Sequence, residues 1–587
     1  MANYFDFHYH PMFKKYLSQY ETNYPSSRLP EDLLPDITLE NDILRLIDKD
    51  LLHFLGSQCS FDELKAGDEC FGVANIVTLE YAICSATNIF ADILRSAIVK
   101  PLDSTYFDTI KAGGISYYHL FIKELNLYSI LANIGTSRDE SRTALINILA
   151  RSKNKSINFD SYTGTTLALA MEGGHNLNRN MVNSKDLTPD TIEDPGATDA
   201  VYADFFANCS ETLTPGKSLT QLFHAMWQEE MDLLYVTLTH LTYISELPLA
   251  SHAYGMKILT HNYFYPSISG LTDAGKEVIS AAYEMTVNDR KTPVLIDIKH
   301  MSLKSRLDFY AYRKEKGYAL PILATHMGVT GLPIAEWING NRSNDQGLTK
   351  FDSGLVVAGM ANSEDEGNRT KFHFNPWTIN LMDEDIVEVM NSNGMIGISL
   401  DSRIIGIIAT EKNVEYDSSE YLSKDDLDYL QDNYAVANRE DDPDIDAATD
   451  VDLDPVGGLN VWERDGLVQI ACIAFNIMHI LAVSLNQTKT DPWSRIVIGS
   501  DYDGLIEPMS SAVDCTGFNA NQVAEKLLHL MPTVESSYLH FHPGMEIKIL
   551  PRDEVGTLDT VALASNIQGI LFHNGKNFLR LWYNDEL

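Results

Sequence analysis

Short apolar runs recur along the chain at intervals that fit a repeated strand-and-helix unit. They are TTLALAM (165–171), LLYVTLT (233–239), PVLIDI (293–298), PILAT (321–325), MIGISL (395–400) and RIVIGS (495–500). Each is five to seven residues long and several are rich in Val, Ile or Thr. Runs of this length predict buried parallel strands. Helical patterns separate them. Residues 272–290 open on Thr272-Asp273, a capping pair, and continue through GKEVISAAYEM. Residues 383–392 begin Asp-Glu-Asp, which suits a helix N-terminus, and stop before Gly394. Strand and helix in alternation predict an α/β fold with a parallel sheet.

Two stretches break the pattern and read as insertions. Residues 331–376 are rich in Asn, Gly and Ser, and residues 402–465 are acidic. From Glu411 to Asp454 there are 16 acidic side chains against three basic, a local charge of −13. Asp442, Asp444 and Asp446 loosely resemble a calcium loop, but the required glycine and terminal glutamate are missing. The uncharged run Gly466–Thr488 is long enough to span a membrane, yet Gln469, Asn476 and His479 within it favour a buried helix.

With 587 residues the chain has the length of about four ordinary domains, or of one barrel with long insertions. The latter reading treats residues 1–587 as a single barrel domain. Apolar residues make up 44% of the chain, which excludes disorder, collagen and coiled coil as global descriptions. Lys and Arg total 44 against 82 Asp and Glu, a formal charge of −38. Such a chain repels phosphate backbones and anionic membranes, so neither nucleic acid nor membrane is expected as a partner. Six cysteines at 59, 70, 84, 209, 472 and 515 show no CxxC or zinc-finger spacing and fit a reducing compartment. No signal peptide is visible in MANYFDFHYHP, and a cytoplasmic location is expected.

The candidate chemistry sits directly after the strands. FDFHYH ends on His8 and His10, TTLALAM is followed by Glu172 and two glycines, and YVTLT by His240. LIDIK precedes His300, ILAT precedes His326, and IVIGS precedes Asp501. A lone strand-end histidine is ordinarily a core or turn residue. Histidine is only 17 of 587 residues here, however, and four strand ends carrying it point to a metal site. In a parallel barrel these ends converge on one mouth. Imidazole and carboxylate together suit Zn²⁺ and similar ions. The two-residue period of a strand puts His8 and His10 on one face, where they can grip one ion. His300 and His326 lie about one strand-helix unit apart and can grip a second. Glu172 has two oxygens with which to bridge the pair. Asp501 can ligate a metal and take a proton from water.

These residues resemble a known family. AMEGGHNL (170–177), VTLTH (236–240), GLTDAGKEV (270–278), IDIKHMS (296–302), PILATHMG (321–328), VIGSDYDG (497–504) and GKNFLRLW (575–582) look like the signature blocks of the renal (membrane) dipeptidase family, in the family's order. The resemblance implies a metal-dependent TIM (β/α)8 barrel of the amidohydrolase kind, with large loop insertions, that hydrolyses dipeptides with two zinc ions. It implies one ion on His8, His10, Glu172 and Asp501, and a second on Glu172, His300 and His326. His240 matches the family's substrate-binding histidine, with His261 as a rival. His240, Glu172 and Asp501 are then the catalytic set, and a small dipeptide-like molecule is the partner. A homodimer is left open.

Three features depart from the family. The first strand carries HYH where the family has HxD, which raises the charge of the site by about one unit. The family's carboxylate-gripping arginine aligns near Ile379, with Arg342 and Arg369 as candidate replacements. The chain is also much longer than a typical member, and insertions at a barrel mouth reshape the pocket. The same ligands would serve a lactone, ester or cyclic-amide hydrolase. A barrel that has lost catalysis and only binds a ligand is the alternative outside enzymes.

Overall fold

The computed structural model describes residues 3–18, 29–37, 56–64, 69–86, 104–113, 115–151, 157–180, 213–256, 259, 261–341, 345–350, 356–361, 374–406, 419–435, 461–509, 520–541 and 548–587. Eight parallel strands follow one another round a single sheet: β1 (Tyr4–Tyr9), β2 (Glu69–Ile76), β3 (Gly164–Met171), β4 (Tyr235–Thr237), β5 (Leu295–Asp297), β6 (Ile322–Met327), β7 (Met395–Ile398) and β8 (Ile496–Ile498). Each pairs in parallel with the next. The ends of the sheet meet: Asp501 N donates to His8 O and His10 N to Tyr502 O, both at 2.8 Å. Sequential order with closure between first and last strand is a TIM barrel.

The described strand residues are almost all buried. That explains their unbroken apolar character: helices cover the outer face and side chains fill the interior. Helices Pro215–Gln228, Asp273–Tyr283, Leu303–Lys316 and Asp383–Asn391 stand between successive strands. Beneath the barrel, the helix Asn574–Tyr583 presses Phe578 and Trp582 against Phe5, Phe7 and Phe71 in a separate apolar cluster. The Phe7 and Phe578 rings meet edge to face, with centroids 5.7 Å apart. This plug closes the N-terminal end and leaves the opposite mouth for chemistry. The run containing Gln469–Gln487 forms part of the helix Val461–Gln487 and is 89% buried within the protein.

Three expectations are modified. The eight-residue strand β2 does not stand out among the apolar runs, because Glu69, Cys70, Gly72 and Asn75 dilute its pattern. The helix expected to reach residue 290 stops at Tyr283, and a hairpin of Thr286–Val287 with Arg290–Lys291 follows. Asn288 and Asp289, at φ 51° and 63°, make its turn. The two insertions also contain regular elements among their described residues. Strand Val356–Ala361 of the first pairs antiparallel with Asp345–Lys350 on one side and with Ser419–Ser423 of the second on the other. The helices Ile334–Asn341 and Lys424–Tyr434 flank that sheet. Asp442, Asp444, Asp446, Arg342 and Arg369 lie outside the described residues.

Candidate metal centre

The barrel mouth gathers side chains from strands far apart in sequence. His8 lies within β1 and His10 just beyond it; His326 lies within β6. Glu172, His240, His300 and Asp501 come from the turns after β3, β4, β5 and β8. The carboxylate of Glu172 is the hub. Its Oε2 is 3.1 Å from His10 Nε2, and its Oε1 is 3.0 Å from His300 Nε2, 3.4 Å from His8 Nε2 and 3.5 Å from His326 Nε2. Asp501 Oδ1 lies 3.3 Å from His10 Nε2 and 3.8 Å from His8 Nε2, and its Oδ2 lies 3.9 Å from His326 Nε2. Three sets have ligand atoms within 4.8 Å of one another: His8, His10, Glu172; Glu172, His300, His326; and His8, His326, Asp501.

The backbone is bent to bring these groups inward. His300 and Asp501 adopt the left-handed conformation at φ 65° and 62°. For non-glycine residues this costs roughly 1–3 kcal/mol, a strain often found at functional sites. Gly173, at φ 85°, relieves a different conflict: a Cβ there would strike the His175 ring and crowd His240.

Around the ligands, further contacts set their orientation. His10 Nδ1 lies 3.2 Å from the Asn75 carbonyl oxygen, to which only an N–H can donate. When His10 is neutral, its Nε2 therefore carries the lone pair that faces the cluster. His8 Nδ1 is 2.9 Å from the Tyr235 hydroxyl and 3.2 Å from Thr325 Oγ1. The Nε2 atoms of His8 and His10 face each other at 3.2 Å, and those of His300 and His326 at 3.3 Å. Imidazole pairs converging in this way on a shared carboxylate are a donor set suited to divalent ions such as zinc.

Electrostatics divides the cluster. Burial alone would raise the Glu172 carboxyl, but His8 and His240 with hydrogen bonds from His10 and His300 hold it well below its ordinary range. Burial opposes the charged form of His10, yet hydrogen bonds to Asp501 and Glu172 lift it to about 10. Burial pushes His300 down to about 3, outweighing its hydrogen bond to Glu172. Burial and the His8 charge hold His326 well below its usual value. His300 and His326 are thus neutral ligands in waiting, whereas His10 must release a proton to bind an ion.

His240 stands beside the hub, with Nε2 3.8 Å from Glu172 Oε1. Its Nδ1 is 2.8 Å from Glu80 Oε1. The rival His261 lies elsewhere, partly buried against the Tyr81 and Tyr263 rings and accepting a hydrogen bond from Tyr263 N. A cavity above the cluster is lined by His10, Glu172, His240, His300 and Asp501. Ile379, Lys299, Arg403 and Asp401 line it too. The position where the resemblance implies an arginine therefore presents an apolar side chain to the pocket.

Glu80, Lys299 and Arg403 were not singled out from the sequence. Glu80 follows a strand whose pattern is weak. Lys299 had a readable signal, a lysine ending the buried run LIDIK.

No protein-family model matches the chain, and no curated relative matches it. Several solved structures are similar over nearly their whole length. A metallopeptidase from Rhodobacter sphaeroides, bound to a phosphinate mimic of L-Ala-D-Ala, is 12% identical with 98% of each chain covered and a TM-score of 0.41. A metallopeptidase described as dipeptidase AC is 11% identical, with 99% of each chain covered and a TM-score of 0.38. A probable dipeptidase from Pseudomonas aeruginosa is 11% identical, with 90% of each chain covered and a TM-score of 0.38. The barrel assignment itself rests on the strand order and closure described above.

Proposed function

We propose that this chain is a metal-dependent hydrolase that cleaves the amide bond of dipeptides or similar small amides. One observation carries the reading: Glu172 stands between two imidazole pairs, His8 with His10 and His300 with His326, at the mouth of a closed parallel barrel. His8, His10, Glu172 and Asp501 would hold one zinc ion, and Glu172, His300 and His326 a second. The metal supplies Lewis acidity when bound, together with a nucleophile made from water near neutral pH.

The chain's own groups supply the rest. Asp501 is 15% exposed and borders the cavity, so its carboxylate is placed to accept the proton of an attacking water and return it to the leaving amine. His240 is raised above its ordinary value: burial opposes its charge, but Glu80 and Glu172 overcome that penalty. In its protonated form the ring's Nε2 presents a donor on the pocket side, suited to a carbonyl oxygen gaining charge. The apolar lining around Ile379, Leu241 and Met256 excludes water from the substrate's flank. The chain's net charge of −38 disfavours the phosphate backbone of a nucleic acid, and the narrow cavity suits a small molecule.

The test is zinc loading of purified protein, metal counting by mass spectrometry, and a panel of dipeptides, lactones, esters and cyclic amides. About two ions per chain with dipeptide turnover supports the reading. Well under one ion with no product from any substrate would overturn it. Turnover confined to lactones or esters would retain the site and discard the dipeptide.

A further inference from the structure

Two basic side chains border the cavity, Lys299 and Arg403. Arg403 is committed within the protein. Its Nε and Nη2 grip the Asp401 carboxylate at 2.6–3.2 Å, and Nη2 also donates to the Leu505 carbonyl oxygen at 2.8 Å. Lys299 differs. It is 1% exposed, it lines the cavity, and its ammonium makes no hydrogen bond or ion pair among the described residues. The acidic groups whose charges reach it are Asp501, Asp401, Glu172 and Asp297. Each has other partners. Glu172 and Asp501 belong to the ligand cluster, and Asp401 is held by Arg403. Asp297 accepts from Thr237 Oγ1, Thr325 Oγ1 and two backbone amides.

A buried ammonium without a partner is costly, and proteins seldom keep one without use. Lys299 stands two residues past the end of β5 and immediately before the ligand His300, so the backbone places it beside the reacting centre. Ile379, on the same cavity, brings no charge of its own. We propose that Lys299 is the substrate-positioning cation of this site and pairs with a carboxylate on the small amide bound there. The proposal rests on the hydrolase reading for its substrate class, but binding alone can test it. A point-charge ammonium tolerates varied carboxylate orientations, whereas a bidentate guanidinium demands one. The pocket therefore accepts acids whose carboxylate stands at different distances from the scissile bond.

The experiment is isothermal titration of zinc-loaded protein with N-acetylalanine and with its uncharged amide, N-acetylalaninamide. Wild type, Lys299→Met, Lys299→Gln and Lys299→Arg are compared, with metal content and melting temperature measured for each. Wild type should prefer the acid. Lys299→Met and Lys299→Gln should cut the acid-to-amide preference about tenfold or more, and Lys299→Arg should keep most of it. Replacing a buried charge by methionine of similar length should leave the fold intact. An unchanged preference in the Met and Gln variants, or no acid preference in wild type, overturns the proposal. A preference that depends on Lys299 without hydrolysis of any panel substrate upholds Lys299 and defeats the hydrolase reading instead.

Discussion

Nδ1 of His240 lies 2.8 Å from Oε1 of Glu80, and this buried contact turns the other ring nitrogen toward Glu172. The same Glu80 oxygen accepts from Leu241 N at 3.0 Å, which pins the turn carrying the histidine. Burial alone would raise the Glu80 carboxyl, but the charge and hydrogen bond of His240 bring it down to about 2. A carboxyl depressed on folding contributes stability above its ordinary value of 4.5 and loses it as pH falls through about 2. His240 is shifted upward, so its contribution is full below 6.5 and fades as pH rises beyond its folded value. Urea unfolding of metal-free protein should therefore show stability falling between pH 4.5 and about 2, with Glu80→Gln flattening that slope. At pH 6 the variant should lose about 1–3 kcal/mol. Equal slopes in the two proteins would refute the pairing.

Asp501→Asn tests the proton acceptor. The amide keeps the shape of the side chain but cannot take a proton at neutral pH. Turnover should drop roughly 10²–10⁴-fold while circular dichroism and melting temperature stay close to wild type. Activity within a few-fold of wild type would remove Asp501 from the acid-base role.

His300→Ala separates the two ion positions. His300 belongs with Glu172 and His326 but not with the His8–His10 pair. Metal counting should fall from about two ions per chain to about one. Zinc at a thousand times its dissociation constant should stabilise wild type by about 4 kcal/mol per site, and the variant should lose one such increment. Loss of both ions at once would show that the positions form only as a unit.

Gly499 tests how tightly the barrel is packed beneath the site. A Cβ there would collide with the Thr325 carbonyl oxygen, and one at Gly397 would collide with the same atom. Thr325 in turn lies against Asp297, His8 and His326. Gly499→Ala should cost about 1–3 kcal/mol in chemical unfolding and loosen zinc binding through the displaced β6. Unchanged stability would mean that the barrel wall yields freely.

The six strands β3 to β8 announce themselves in sequence because a strand covered on both faces needs apolar residues throughout, whatever its neighbours, and β1 is marked instead by its His8-Tyr9-His10 motif. Strand β2 carries Gly72 where a side chain would run into Tyr9, and Asn75, whose side-chain amide donates to the Val73 carbonyl oxygen. Its composition answers to neighbours and not to a local period, so no window on the sequence isolates it. The expected helix over residues 272–290 fails for a related reason. Asn288 and Asp289 fit a helical tail by themselves, and only pairing of Thr286–Val287 with Arg290–Lys291 makes them a turn.

For the site, sequence alone determined which residue types stand at the strand ends: His8, His10, Glu172, His240, His300, His326 and Asp501. A parallel barrel makes that position predictable, since every strand end faces one mouth. Tertiary structure decided what sequence order cannot carry. It set which oxygen of Glu172 faces which imidazole, brought Glu80 from a distant turn against His240, and put Lys299 on the cavity wall without an ion pair among the described residues. Such pairings depend on distances of a few ångströms between segments hundreds of residues apart. Those distances exist only once the sheet has closed, and burial then decides which charges must be matched.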